Sequence, residues 1–190
     1  YLEKAVDISM QMLANSNIQA YLSGLNADFS AYDKMKQQQD AVSALNDINN
    51  TTNDFNTKIL FNNGTTLGDI VAPDDMEKVM SVNWYKKMVE ANGRELWVDN
   101  TEGINRLNAE KYAFSLIRLL KSAYSASGSG MIIVDINYSR IQDKLSGIDL
   151  GKEDSTYLLT TGGKVLSAEG LELEDTLSQR QFIKEVQMRY

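Results

Sequence analysis

The chain contains no cysteine and no histidine, one proline, and no apolar stretch near membrane-spanning length. Without Cys there are no disulfides and no thiol chemistry, a composition that suits a bacterial protein facing the outside but also many cytosolic ones. Without His the commonest general base and the commonest zinc ligand are missing, which leaves carboxylates, Lys, Tyr, Ser and Thr for any chemistry and lowers the expectation of an enzyme. No apolar run approaches the roughly 20 residues needed to cross a bilayer. No basic segment leads into an apolar one, so no signal peptide is visible. Lys and Arg form no stripe and the formal net charge is −7. Nucleic acid is therefore a poor partner, because phosphate binding needs clustered positive charge.

What is present is ordinary for a globular protein: 43% hydrophobic and 24% charged residues over 190 positions, enough for one sizeable core or two small ones. The chain starts at Tyr1 within a helical pattern, which suggests an excised piece of a larger protein, its membrane segments left out. Leu2, Ala5, Val6, Ser9, Met12 and Leu13 recur at three- and four-residue steps, one face of a helix. "NSN" at 15–17 breaks the pattern, with Ser16 or Asn17 as cap of the next helix. Met35, Val42, Leu45 and Ile48 form a second, narrow stripe among polar residues. Such a helix packs along its own domain or along its twin in a dimer.

"NNTTNDFN" at 49–56 is rich in turn formers and marks a change of architecture. A strand from Ile59 to Phe61 and an Asn63-Gly64 turn follow, a hairpin signal. Pro73 precedes a helical turn in "DDMEKVM". Ser81 is placed to cap a helix carrying Trp84, Tyr85, Met88 and Val89, and Gly93 suits the left-handed position that ends it. In the strand "RELWVD", Leu96 and Val98 point opposite to Glu95, Trp97 and Asp99. Residues 111–121 read as a central strand in which Arg118 shares a face with Tyr112, Phe114, Leu116 and Leu120, a place where an unpartnered charge is costly. "YSASGSG" at 124–130 reads as a hairpin loop, 130–137 as the next strand, and Asn137 as the cap of a short helix with Ile141 and Leu145 on one face. A second hairpin turns at Gly162-Gly163, and a final helix opens at Asp175 or Thr176. Adjacent strands joined by tight turns imply an antiparallel sheet, hence α+β.

"GMIIVDINYSRIQDKL", following "YAFSLIRLLKSAYSASGS", resembles the close of the first module in double-Cache extracytoplasmic sensor domains. "YLLTTGGKVLSAEG" resembles the hairpin that opens their second module. The resemblance covers essentially the whole chain, is carried by the order of elements, and is strongest to sensor histidine kinases of Gram-positive bacteria, with chemoreceptors more distant. It implies a long N-terminal helix emerging from the membrane and a PAS-like antiparallel sheet module, then a second, smaller or truncated one. The expected divisions are a helical stalk at 1–50, a membrane-distal module at 51–148, and an incomplete membrane-proximal module at 149–190. A full second module would continue with more strands, whereas this chain stops inside a helix at Tyr190, so the piece is cut short or that module is incomplete.

The resemblance also implies a ligand site. Where the family binds amino acids, its motif is Arg-x-Trp-Tyr at a helix start, Tyr-x-Asp on the next strand, and an Asp ending a later central strand. This sequence has Val82-Asn83-Trp84-Tyr85, Trp97-Val98-Asp99, and Asp135. The implied ligand-binding residues are Trp84, Tyr85, Trp97, Asp99, Arg118 and Asp135. Val82 stands where the family's arginine holds the ligand carboxylate, a role left to Arg94 or Arg118. Aromatic walls with a few placed polar groups suit a small-molecule pocket, and the same Trp/Tyr/Met stripe equally suits a core; Asp135 ending a strand and Arg118 in a structural bridge are the corresponding alternatives. The partners implied are a small-molecule ligand and a homodimer mate through the N-terminal helix. No metal, cofactor or nucleic acid is expected, and the membrane enters only through segments outside this chain. Two further readings are kept: an enzyme with paired carboxylates, its candidates Glu90, Glu95, Asp99 and Glu102, and a structural or dimerisation domain without a pocket.

Overall fold

In a computed structural model, the helical spacing of the first fifty residues resolves into α1 (Leu2–Ala14), α2 (Ser16–Gly24) and α3 (Ala31–Asn50). The structure describes residues 2–25, 27–51, 54–70, 72–99, 112–121, 128–147, 157–159 and 165–168. The break after α1 is where the sequence places it, but the cap is Asn15, not Ser16 or Asn17. Its side-chain oxygen accepts from the amides of Asn17 and Ile18 at 3.0 and 3.2 Å, satisfying two donors that a helix start leaves unpaired. On α1 the buried residues are Ala5, Ile8, Ser9 and Met12, while Leu2 is exposed. On α3 they are Ala41, Ala44, Leu45 and Ile48, and the expected stripe members Met35 and Val42 face outward. The two alanines keep that face short, which lets the helix lie close to the sheet.

The first strand, β1 (Phe55–Phe61), begins four residues before Ile59, inside the turn-forming stretch. Asn49 explains the early start. Its Oδ1 accepts from the amide and the hydroxyl of Thr57 at 2.9 and 2.8 Å, so the end of α3 is fastened to a polar strand residue that would otherwise be buried unpaired. β2 (Thr66–Leu67) follows across the Asn63-Gly64 turn, where Gly64 has φ 84°, a conformation glycine adopts without strain.

Asp75 caps α4 (Met76–Ser81), accepting from the amides of Glu77 and Lys78. Ser81 does not cap the next helix. It is the last residue of α4 and donates to the Lys78 carbonyl at 2.8 Å, and α5 (Asn83–Ala91) starts at Val82 without a side-chain cap. α5 ends as expected in left-handed backbone, at Asn92 (φ 55°) and Gly93 (φ 93°). β3 (Leu96–Asp99), β4 (Tyr112–Lys121) and β5 (Gly128–Asn137) complete a five-stranded sheet in the order β2-β1-β5-β4-β3, with every pairing antiparallel. The strand β5 also takes in Gly128 and Ser129, which the sequence assigns to a loop.

The sheet belongs to one of two compact units, Tyr1–Asn137, which also contains α1 to α5. Within it, β5 is central and buried throughout 130–136, which accounts for its nearly unbroken apolar run. Alternation sends its side chains to two different layers. Ile132, Val134 and Ile136, with Phe55, Ile59, Phe61, Leu116 and Leu120 beside them, face α1 to α3; Tyr21 of α2 meets Phe61 edge to face at 5.4 Å. Met131 and Ile133, with Leu60, Ile117, Leu119 and Val98, form the opposite core under Trp84, Tyr85 and Met88 of α5.

The second unit, Tyr138–Tyr190, contains α6 (Tyr138–Ser146) and an antiparallel hairpin of β6 (Tyr157–Leu159) and β7 (Val165–Ala168). The hairpin agrees with the sequence. Its Gly162-Gly163 turn and the helix expected from Asp175 or Thr176 lie outside the described residues.

Candidate functional site

β5 reads Met131-Ile132-Ile133-Val134-Asp135, so the carboxylate of Asp135 falls on the α5 face, two residues beyond Ile133. Two neighbours on that face answer it. Ser115 lies directly across from it on β4 and donates its hydroxyl to Oδ1 at 2.5 Å. Lys58, opposite Ile133 on β1, brings its ammonium against Oδ2. Lys58 is 2% exposed, Ser115 1% and Asp135 0%. Removing two opposite charges from water costs several kcal/mol per ion, and their attraction offsets this only when they are well paired and hydrogen-bonded. Here the pairing is close and the carboxylate has a second donor.

Trp84 and Tyr85 are buried on the same face, on the first turn of α5, and meet edge to face with ring centroids 6.1 Å apart. The Tyr85 hydroxyl donates to Asn62 Oδ1 at 3.2 Å. Burial pushes this phenol above its ordinary value, and the Asn62 contact offsets part of that. Asn62 lies just past the end of β1, whereas Asp135 pairs with Asn56 at its start. Six residues of strand separate the two levels, about 20 Å. Tyr85's polar end and the Asp135 carboxylate are thus at opposite ends of the face.

Trp97 and Arg118 lie on the other face. Trp97 is 37% exposed and packs edge to face on Phe114 at 5.5 Å. The two indoles therefore do not wall one cavity, because the sheet runs between them. Arg118 points into the layer of α1. Its Nε donates to Ser9 Oγ at 3.0 Å, one terminal nitrogen to the Gly93 carbonyl at 2.5 Å, and the other to Glu95 Oε2 at 3.2 Å. Ser9 passes the chain on to the Val6 carbonyl at 2.7 Å. This is the structural bridge that the sequence leaves open, and it joins α1, the turn after α5, and β3 to β4. Arg118 and Asp135 thus lie on opposite faces of the sheet. Arg94 is exposed and donates to the Ala91 carbonyl. Asp99 pairs through its backbone with Phe114; its side chain lies outside the described residues, as does Glu102. Glu95 is engaged by Arg118 and Glu90 is exposed on α5. Among the described residues, no group of three or more acidic side chains is placed to hold a metal ion.

Sequence reasoning missed Lys58, Ser115 and Asn62. Lys58 had a readable signal: in "TKILF" it is two residues from Leu60, hence on the same strand face, in a segment too apolar to be solvated on both sides.

Comparison with solved structures finds the fold again. The sensory domain of the Campylobacter jejuni chemoreceptor Tlp3 with isoleucine bound matches over 89% of this chain and 71% of its own, at 13% sequence identity and a TM-score of 0.52. Two structures of the same receptor's ligand-binding domain match as well. One, in complex with 4-methylisoleucine, covers 91% of this chain and 74% of its own at 12% identity and a TM-score of 0.48. The other, in complex with L-valine, covers 95% and 79% at 14% identity and 0.48. The likeness is one of fold: α+β, N-terminal helices against a five-stranded antiparallel sheet, in the PAS/Cache-like class. No protein-family profile and no curated protein matches the sequence.

Proposed function

We propose that the chain is the extracytoplasmic input domain of a transmembrane signalling receptor, a double-Cache module that takes a small molecule on the α5 face of its sheet and performs no catalysis itself. The observation that carries the reading is the fully buried Lys58–Asp135–Ser115 group on the sheet face that also carries α5. Such a group is costly as mere packing and useful as a recognition floor, since placed polar groups under an apolar cover fix a ligand's orientation. The fold shared with a sensory domain that carries isoleucine supports it. A ligand acts on such a module only through different affinities for two of its arrangements.

The output is a two-component histidine kinase, as the sequence resemblance implies. A chemoreceptor is the second reading, favoured by the solved neighbour. No described helix is long and apolar enough to cross a membrane; in this reading the anchoring segments are a property of the receptor as a whole. A homodimer through the N-terminal helices accords with the outward row of Tyr32, Met35 and Val42 on α3, all exposed.

Thermal shift against amino-acid, sugar, polyamine and carboxylate panels tests the proposal. A ligand at a hundred times its Kd stabilises the folded state by about 2.7 kcal/mol, roughly 5–10 °C for a chain of this size. At least one class is expected to produce such a shift. Silence across every class would favour a structural or dimerisation domain.

A further inference from the structure

We propose that Asn92-Gly93 is a self-modifying turn: the Asn92 side-chain amide is lost spontaneously through a succinimide, and the isoaspartate formed there loosens the Arg118 bridge. The inference stands apart from the reading of the α5 face as a ligand site. Asn-Gly is the pair most prone to this reaction, because glycine puts no side chain in the way of its own nitrogen. The chain has two, Asn63-Gly64 and Asn92-Gly93, and their surroundings differ. At the first, the Gly64 amide donates to the Phe61 carbonyl at 2.9 Å and Asn63 Oδ1 accepts from the Thr65 amide at 3.0 Å. Nucleophile and electrophile are both held by the β1–β2 turn.

At the second, the Arg94 amide donates to the Ala91 carbonyl at 3.1 Å and closes a turn. Asn92 (φ 55°, ψ 42°) and Gly93 (φ 93°) at its centre have the backbone of a type I′ turn. Among the described residues, nothing is bonded to the Gly93 amide or to the Asn92 carbonyl. The space beside Gly93 is open, with no atom within 4 Å of where a Cβ would stand. A half-turn of the peptide unit between them takes Asn92 ψ to about −140° and Gly93 φ to about −90°, the type II′ form, and leaves the ends of the turn in place. In that form the Gly93 nitrogen and Asn92 Cβ lie on the same side of the Cα–C bond, as closure of a five-membered ring requires. Lys121 completes the site. Its ammonium donates to Asn92 Oδ1, polarising the carbonyl under attack and stabilising the oxyanion that develops there.

The Gly93 nitrogen, its proton taken by hydroxide, adds to Asn92 Cγ; the Cγ–Nδ2 bond breaks and ammonia leaves. Water then opens the imide. Addition at the main-chain carbonyl carbon breaks its bond to the Gly93 nitrogen and leaves isoaspartate, whose main chain runs through Cβ and Cγ; addition at Cγ leaves aspartate. The isoaspartate link is one carbon longer and adjoins Gly93, whose carbonyl accepts from Arg118 at 2.5 Å. The lengthened turn carries that carbonyl off the guanidinium.

The test is to age the folded protein in mildly alkaline buffer, with a parallel sample in urea, and to map both by digestion and mass spectrometry, isoaspartyl methyltransferase marking isoaspartate. In urea the two Asn-Gly peptides should convert at similar rates. In the folded protein Asn92 should convert faster than Asn63 by at least about fivefold, the equivalent of one hydrogen bond that must open. Lys121→Met should slow Asn92 and leave Asn63 unchanged. Asn92→Gly keeps the left-handed turn and has no amide to lose: its urea midpoint should hold on ageing, whereas that of the wild type should fall. A folded protein in which Asn63 converts as fast as Asn92, or in which neither converts while both do in urea, would overturn the site. Conversion at the wild-type rate in Lys121→Met would remove the lysine from it. An unchanged midpoint in a protein converted to isoaspartate at position 92 would overturn the link to Arg118.

Discussion

Arg118→Met tests whether the arginine in the middle of β4 serves the architecture or a ligand. The substitution keeps the aliphatic stem and deletes the guanidinium, with its bonds to Ser9, Gly93 and Glu95. Hydrogen bonds with a charged partner are worth about 1.5–3 kcal/mol each. Ser9 retains its bond to the Val6 carbonyl, so its loss is at the low end. Glu95 is 41% exposed, and solvent screening reduces its share to under about 1 kcal/mol. The Gly93 carbonyl loses a charged donor at a backbone turn. Together these give a destabilisation of about 3 kcal/mol. In urea unfolding with m near 2 kcal/mol/M, the midpoint falls by about 1.5 M. Glu95→Gln should cost under about 1 kcal/mol. Ligand affinity, measured where both proteins are folded, should be unchanged because Asp135 lies across the sheet. A variant within about 1 kcal/mol of the wild type would refute the clamp, and a loss of affinity above about tenfold would return Arg118 to the ligand site.

The two tryptophans should report opposite environments. Trp84→Phe leaves the half-exposed Trp97, with red-shifted emission open to acrylamide, whereas Trp97→Phe leaves a shielded indole; equal quenching of the two would contradict their placement. Trp84→Ala should cost about 3–5 kcal/mol and Trp97→Ala about 1 kcal/mol, the value of an edge-to-face pair, both read by denaturant titration. Burial raises the phenols of Tyr21 and Tyr85. The folded state then holds these protons more tightly than the unfolded chain, so their contribution is complete below about pH 10, the unfolded value, and declines as pH rises from there through the folded values. Spectrophotometric titration should show a late fraction among the nine tyrosines that disappears when both are changed to Phe; a single free-tyrosine transition would exclude the burial.

Period carries most of what the sequence reveals. The steps along α1 and α5, the apolar run of β5, and the turns at Gly64 and Gly93 follow from local chemistry and are found close to their expected places, except that Leu2 and Val89, at the edges of their stripes, are exposed. β1 shows the limit. Phe55 and Asn56 fall in the turn-forming stretch, and Thr57 and Lys58 fall short of the expected strand start at Ile59; their partners, Asn49 and Asp135, come from elsewhere in the chain and are not announced locally. Trp97 shows another. Alternation correctly sets it opposite to Leu96 and Val98, and the stripe on α5 correctly buries Trp84, yet neither says which face of the sheet α5 covers. It covers the Val98 face, so one unreadable choice separates two residues that the resemblance placed together. Arg118 was conspicuous as a charge in line with apolar residues, but its first partner, Ser9, is more than a hundred positions away.

Among the described residues the sheet holds two buried cations, Arg118 and Lys58, in different settings. Arg118 ties β4 to α1 and to the Gly93 turn, which no ladder connects to it, and its planar guanidinium also reaches Glu95 just before β3. Lys58 joins β1 to β5, strands already paired along seven residues, and Ser115 joins β5 to β4, also paired. Nearer the other end of β5, Leu60 opposite Met131 does the same work with apolar groups. Replacing a buried ion pair by well-packed apolar residues is commonly neutral or stabilising by about 1–4 kcal/mol. The double variant Lys58→Met with Asp135→Leu should therefore fold at least as stably as the wild type. It separates two accounts of the pair: a protein that unfolds would make the pair part of the frame, whereas a stable protein that no longer answers any ligand bound by the wild type would support the proposed recognition role.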